Sequence, residues 1–115
     1  MTKQKIKTGY KIVSVWNSKY YSWIEYPDDH ACVKYIIGKT SKPRSGCGPL
    51  CVFSKLRKAK NWVNMFTDRK CIILRVQYVS SKGHSVWTHD ESTLIDTLLP
   101  GTMLADSVTP IKVIE

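Results

Sequence analysis

The side chains best suited to binding chemistry lie in one basic interval of this 115-residue chain. Between Asp29 and Asp68 there is no acidic residue, whereas eight lysine and arginine side chains occur there. Cations at this density attract phosphate and other polyanions. The spacing therefore predicts anion binding, centred on the loop that spans residues 39–48 and on the start of the helix that follows it.

The loop carries residue types that would hold phosphate groups. Lys39, Lys42 and Arg44 would neutralise charge, and Gly46 and Gly48 would let backbone N–H groups approach a ligand closely. No Gly-Lys-Ser/Thr follows the glycines and the dinucleotide fingerprint is absent, so the loop is not a P-loop. An ordinary surface loop with solvated charges is the alternative that the pattern leaves open.

A helix predicted after this loop adds a second source of positive charge. Arg57 and Lys58 lie near its predicted N-cap, Ser54, where the helix dipole is already partly positive. Each such cation costs about 0.3–1 kcal/mol, and a bound anion would reverse the sign of that cost. We assign Arg57 and Lys58 to the candidate phosphate site, and Tyr35 and Trp62 to stacking of a base.

Aromatic residues interleave with lysines in the N-terminal part of the chain. Tyr20 and Tyr21 point to opposite faces of a predicted strand, so at least one of these faces must be core. An open face with aromatic rings and lysines would stack bases and contact phosphates. Binding of DNA or RNA is therefore a second hypothesis.

Groups for catalysis or metal binding are sparse. His30, Cys32, Cys47 and Cys51 fit the ligand spacing of a zinc site only loosely. The cysteines in apolar runs are typical of buried free thiols in a reducing compartment. No paired carboxylates or oriented nucleophile–base pair is visible. We predict no cofactor, no metal and no catalytic residue, which favours a binding protein over an enzyme.

The expected architecture is α+β in a single domain that covers residues 1–115. We predict a twisted, mainly antiparallel sheet or partly open barrel of about six strands with one central amphipathic helix. Residues 1–8 are predicted to be a frayed basic leader, and residues 90–99 a short helical turn or a loop. The strands are predicted at residues 10–16, 20–26, 31–37, 50–53, 71–79, 102–108 and 111–114, with the last two separated by Pro110.

The charge is divided unevenly along the chain. Residues 1–60 carry 13 basic and 3 acidic side chains, a balance of +10, whereas residues 61–115 carry 5 basic and 6 acidic ones, a balance of −1. This asymmetry predicts a polyanionic partner, either a nucleotide-type small molecule or nucleic acid. No apolar run is long enough to span a bilayer and no signal peptide is visible. We therefore expect a cytoplasmic protein with no membrane partner.

Two segments carry a resemblance to known proteins. They are Gly46-Cys-Gly-Pro-Leu-Cys-Val-Phe53 and Leu99-Pro-Gly-Thr-Met-Leu-Ala-Asp-Ser-Val108. The chain resembles a set of small, largely uncharacterised proteins of phages and bacteria, and the likeness covers about the last two-thirds of its length. The order of elements is also similar to that of minimal ADP-ribosyltransferase-like domains. The Arg, Ser-Thr-Ser and Glu-x-Glu of that group have no clear counterpart here.

The resemblance and the small size imply a viral, host-defence-evasion role in a host cytoplasm. The first functional hypothesis is therefore non-catalytic binding of a phosphate-bearing ligand, in which a phage protein sequesters a nucleotide messenger, with a homo-oligomer as an open alternative. The other hypotheses are a DNA- or RNA-binding protein, a protein–protein inhibitor of a host factor, and an ADP-ribosyltransferase-like or nucleotide-hydrolysing enzyme.

Overall fold

The apolar and β-branched runs of the chain form antiparallel strands, and the one helix among the described residues packs against one side of the sheet. The structure, a computed structural model, describes residues 6–22, 33–44, 48–65, 71–82, 85–87, 92–94 and 102–114. The elements are β1 (Ile6–Trp16), β2 (Lys19–Ser22), β3 (Lys34–Tyr35), β4 (Leu50–Phe53), α1 (Leu56–Met65), β5 (Cys71–Ser80), β6 (Ser85–Trp87), β7 (Ser92–Leu94) and β8 (Thr102–Val113).

Six of these strands form one sheet that is partly closed into a ring. Its order is β3-β2-β1-β4-β8-β5, and β1 also pairs with β5. The strands β1, β4, β8 and β5 therefore form a closed circuit, from which β2 and β3 extend. A separate two-stranded sheet contains β6 and β7, the latter within the segment predicted as a helical turn or a loop. The predicted α+β class, with a mainly antiparallel sheet of about six strands and one helix, is confirmed for the described residues, in which the sheet is partly ringed rather than a clean barrel.

The first strand is longer than the sequence predicted. Residues Ile6–Thr8, which were assigned to the frayed leader, belong to β1 and pair with residues 77–79 of β5. This pairing continues through nine positions to Ser14, which lies opposite Cys71. Hydrogen bonds to a distant strand order these residues, and their local composition carries no sign of that partner.

A tight turn joins β1 to β2. Asn17 has a φ angle of 50° and Ser18 one of 64°. Both residues are thus in the left-handed region, as a two-residue type I′ hairpin requires. The turn fixes the register in which Trp16 lies opposite Lys19 and Val13 opposite Ser22.

The sheet separates two apolar clusters, because successive residues of a strand point to opposite faces. Val13 belongs to the cluster enclosed by the ring, together with Val52, Val76 and Val108. The neighbouring residue Ile12 belongs to the cluster beneath α1. That second cluster also contains Phe53, Ala59 and Ile73.

Proline at position 110 does not divide the last strand. β8 continues from Thr102 to Val113, so the prediction of two strands was wrong. The register with β5 shifts at this point: Arg75 lies opposite Lys112, and the next residue, Val76, lies opposite Pro110. Such an irregularity accommodates a residue that has no N–H for the ladder.

We predict that Gly9 tolerates alanine poorly. A Cβ atom at this position would lie 2.7 Å from Tyr78 Cε1 and 2.9 Å from the backbone oxygen of Phe53. Because the backbone oxygen has little freedom to move, we expect Gly9→Ala to lower the free energy of unfolding by about 1–3 kcal/mol. Urea denaturation measures this change.

Gly38→Ala is the matched control for that substitution. Gly38 has a φ angle of +85°, yet nothing lies within 4 Å of a Cβ atom there. Only backbone strain opposes alanine at this position, and the reduced entropy of the unfolded chain partly offsets it. If Gly38→Ala lowers the free energy of unfolding as much as Gly9→Ala does, or more, the predicted close contact at Gly9 is contradicted.

The stability should fall at alkaline pH, because burial raises the pKa of Tyr78. In the unfolded chain the Tyr78 phenol loses its proton from about pH 10, whereas in the folded chain it is still protonated at that pH. The folded state then binds more protons, so its stability decreases as the pH rises through that region. We expect Tyr78→Phe to reduce this loss in urea denaturation measured on either side of that pH. Burial also raises the pKa of Cys71, so the comparison uses a Cys71→Ala background.

Candidate anion-binding face

A lysine occupies the position at the start of the helix where a side chain with a hydrogen-bond acceptor is usual. Lys55 O accepts hydrogen bonds from Lys58 N at 3.2 Å and from Ala59 N at 3.4 Å. This geometry makes Lys55 the N-cap, one residue after the predicted Ser54. A lysine side chain has no acceptor for the free N–H groups of the first turn. No acidic residue occurs in the first turn of α1, so nothing there offsets the helix dipole.

The strands beneath the helix bring further cations to the same face of the sheet. Tyr10 lies opposite Phe53 of β4 on one edge of β1 and opposite Arg75 of β5 on the other. Arg75 in turn lies opposite Lys112 of β8. Cross-strand partners share a face of the sheet, and Phe53 packs beneath α1. Arg75 and Lys112 therefore lie on the side of the sheet that carries the helix.

We call five exposed cations of this side the cationic face. All five side chains are exposed: Lys55, Arg57, Lys58, Arg75 and Lys112. In the described part of the chain, Asp106 is the only residue with a carboxylate side chain. Like charges directly opposite each other on adjacent strands are destabilising. Arg75 and Lys112 thus add a second electrostatic cost to that of the cations at the helix start.

Arg75 and Lys112 are not among the site residues that the sequence predicted. Both belong to the half of the chain that has no excess of positive charge. Their position on the side of the sheet that carries the helix results from the pairing of β1 with β5 and of β5 with β8. Arg75 does occupy an alternating position between the buried residues Leu74 and Val76. That alternation predicts an exposed cation but not its neighbours.

The predicted loop cations lie along a different part of the sheet. Ser41 N donates to Val108 O at 2.7 Å and Val108 N donates to Ser41 O at 2.9 Å, which holds the loop against β8. Thr40 Oγ1 and Thr109 Oγ1 lie 2.7 Å apart and share a hydrogen bond. The loop cations Lys39, Lys42 and Arg44 are exposed there.

The predicted phosphate site is thus divided between two elements. Arg57 and Lys58 lie on α1, which packs on β1, β4 and β5, whereas the loop is bonded to β8. Gly46 lies outside the described residues. Gly48 is buried just before β4, so its backbone faces packed chain rather than solvent.

The two residues predicted to stack a base are both engaged in packing. Tyr35 is only 1% exposed and belongs to the cluster inside the ring. Stacking on a ligand would require its ring to leave this core. Trp62 is partly buried against the cluster beneath α1.

A buried lysine beneath Tyr35 is a feature that the sequence did not predict. Lys11 is 8% exposed, its Nζ donates to Cys51 O at 2.5 Å, and the same atom lies 5.4 Å from the centroid of the Tyr35 ring. The carbonyl and the aromatic face partly replace the water that the ammonium loses. Lys11 therefore links β1 to β4 inside the ring and does not contribute to the exposed charge.

The described residues show little that would support metal or thiol chemistry. Cys51 and Cys71 form no disulfide, and burial raises the pKa of Cys71, which disfavours its thiolate. Among the residues with described positions, no three His, Cys, Asp or Glu side chains are grouped to hold a metal ion. His30, Cys32 and Cys47 lie outside the described residues. The described part of the chain contains no helix with the length and apolar character of a membrane span.

No protein-family model, curated protein or solved structure matches this chain. The resemblance to small phage and bacterial proteins stays a prediction from the sequence.

We predict that Lys112→Glu stabilises the folded chain. The change converts the like-charged pair with Arg75 into an attractive one, for which we expect a gain of about 0.5 kcal/mol at low salt. Urea denaturation at low and high salt measures the gain, which salt should screen. Lys82→Glu is the matched control, because it changes the net charge equally at an exposed position after β5. An equal gain in both variants would show that net charge, rather than this pair, is responsible.

Proposed function

We propose that this protein binds a phosphate-bearing ligand on the cationic face without catalysing a reaction. The observation that carries this proposal is the direct pairing of Arg75 with Lys112 on the side that bears the cation-rich start of α1. Each of these arrangements costs stability in the free protein. A bound anion would convert both costs into attraction.

The spacing of the cations suits groups with several phosphates. Adjacent strands are about 4.8 Å apart, so Arg75 and Lys112 would contact the same phosphate or two successive ones. Arg57 adds a planar fork that donates two parallel hydrogen bonds to phosphate oxygens. A nucleotide-type messenger carries this chemistry. A protein that only holds such a messenger would act by sequestering it, and this is the physiological role that we propose.

Nucleic acid is the second candidate ligand, and the spread of the cations favours it. The five cations come from three elements and lie across an outer surface of the sheet and helix. A surface of this kind would contact several phosphates of a DNA or RNA backbone. Binding of that type weakens steeply as salt increases, because each contacted phosphate releases counterions.

A panel of ligands tests the proposal. We would measure the affinity of the full chain for mononucleotides, cyclic dinucleotides, and short single- and double-stranded DNA and RNA across a range of salt concentrations. We expect at least one of these ligands to bind. Arg75→Glu should then weaken binding by about tenfold or more and reduce the salt dependence by about one phosphate contact.

Lys82→Glu serves again as the control and should leave the affinity close to that of the unchanged protein. Tight binding of a nucleotide but not of oligonucleotides would favour the messenger, and the converse would favour nucleic acid. Mass spectrometry of the ligand recovered after denaturation tests the absence of catalysis, since a converted ligand would identify an enzyme. The absence of binding throughout the panel, or an equal loss in Arg75→Glu and Lys82→Glu, would overturn the proposal.

A further inference from the structure

A second surface of the molecule combines exposed isoleucines with lysines. Among the described residues, Ile36 is 41% exposed and Ile37 42% exposed, and Ile111 is similarly exposed. Large apolar side chains exposed side by side on a protein surface are typical of interaction sites. None of these residues belongs to the cationic face.

The backbone places the three isoleucines together. Tyr35 lies opposite Tyr20 in the pairing of β3 with β2, so the next residues, Ile36 and Ile37, continue alongside Lys19 and Ser18. Gly38 N donates to Pro110 O at 2.8 Å, so the backbone next to Ile37 meets the backbone next to Ile111. The isoleucines thus extend from the β1–β2 turn to the C-terminal part of β8.

A concave depression lies at the β2–β3 end of this surface. Its volume is about 390 Å³, and it is lined by Ser18, Lys19, Tyr20, Lys34, Tyr35, Ile36 and Ile37. Among the described residues, the lining contains two lysines and no carboxylate. The depression therefore offers apolar contact and positive charge.

We propose that this depression and the isoleucines beside it bind an acidic segment of another protein, with apolar side chains of that segment as anchors. Ile36 and Ile37 would contact the anchors, and Lys19 and Lys34 would pair with carboxylates next to them. This combination of a buried apolar centre with a charged rim is the usual organisation of a protein–protein interface. The proposal uses none of the residues of the cationic face, so it stands or falls separately from the proposed function.

The charges and shape of the surface favour this occupant over two others. A second copy of the chain, docked by the same surface, would place two positively charged patches against each other, and like charges in an interface are unfavourable. A planar membrane surface would leave the concavity unfilled, whereas a projecting side chain of a polypeptide would fill it. An acidic polypeptide satisfies both the charge and the shape.

A displayed library of random short peptides, selected on the immobilised full chain, tests the proposal. We expect the selected peptides to combine aspartate or glutamate with leucine, phenylalanine or tryptophan. Ile37→Ser and Lys34→Glu should each weaken binding of the tightest selected peptide by about tenfold. A Lys19→Glu/Lys34→Glu chain should select basic peptides instead, because the sign of the rim is then reversed.

Ile6→Ser is the matched control. Ile6 is the most exposed large apolar residue of the described set, at 64%, but it lies at the start of β1 beside Val79. Its replacement should leave peptide affinity unchanged, and circular dichroism of each variant verifies folding. The proposal is overturned if no peptide is enriched, if the selected peptides lack acidic residues, or if Ile6→Ser and Ile37→Ser have equal effects. Two further results would overturn the proposal by identifying a different occupant. One is a dimer in sedimentation, and the other is binding to phosphatidylserine vesicles in flotation, in each case abolished by Ile37→Ser.

Discussion

The pairing of β1 with β5 is the interaction on which the rest of the structure depends. It joins the N-terminal strand to the middle of the chain through nine consecutive positions and closes the circuit of β1, β4, β8 and β5. Closure gives the sheet an inside and an outside, so that Ile12 and Val13 serve two different apolar clusters. Because both clusters draw residues from β1 and β5, loss of this pairing would expose both of them to solvent.

The same closure decides which basic residues are available to a ligand. Lys11 and Arg75 lie on strands that pair with each other, yet Lys11 is enclosed against Cys51 O and the Tyr35 ring, whereas Arg75 is exposed opposite Lys112. A buried ammonium ion loses its hydration and requires compensating contacts, and an exposed one remains free to bind anions. Net charge therefore overstates the charge that faces solvent. Whether a cation is available to a ligand depends on the side of the sheet on which it lies more than on the number of cations in the chain.

The two proposed binding surfaces share no residue, although Ile111 and Lys112 are neighbours in β8. The cationic face lies on α1, β5 and β8 and would bind through charge. The depression lies at β2, β3 and the residues after them, and would bind through apolar contact with charge at its edge. A protein that carries both surfaces would bring a phosphate-bearing ligand and an acidic protein onto the same small domain. Each can be altered by substitution while the other is retained, so the two proposals are experimentally separable.

Local sequence patterns by themselves determined the elements that depend on neighbouring residues. The helical spacing from Leu56 and the apolar runs of β4 and β5 predicted α1, Leu50–Phe53 and nearly all of Cys71–Ser80. Only the tertiary structure decided that Ile6–Thr8 join β1, that β8 continues through Pro110, that Tyr35 is buried, and that Arg75 meets Lys112. The reason is physical: helical periodicity and strand alternation are set by the geometry of a single segment. Strand pairing and ring closure instead depend on partners far apart in the chain, which no local pattern specifies.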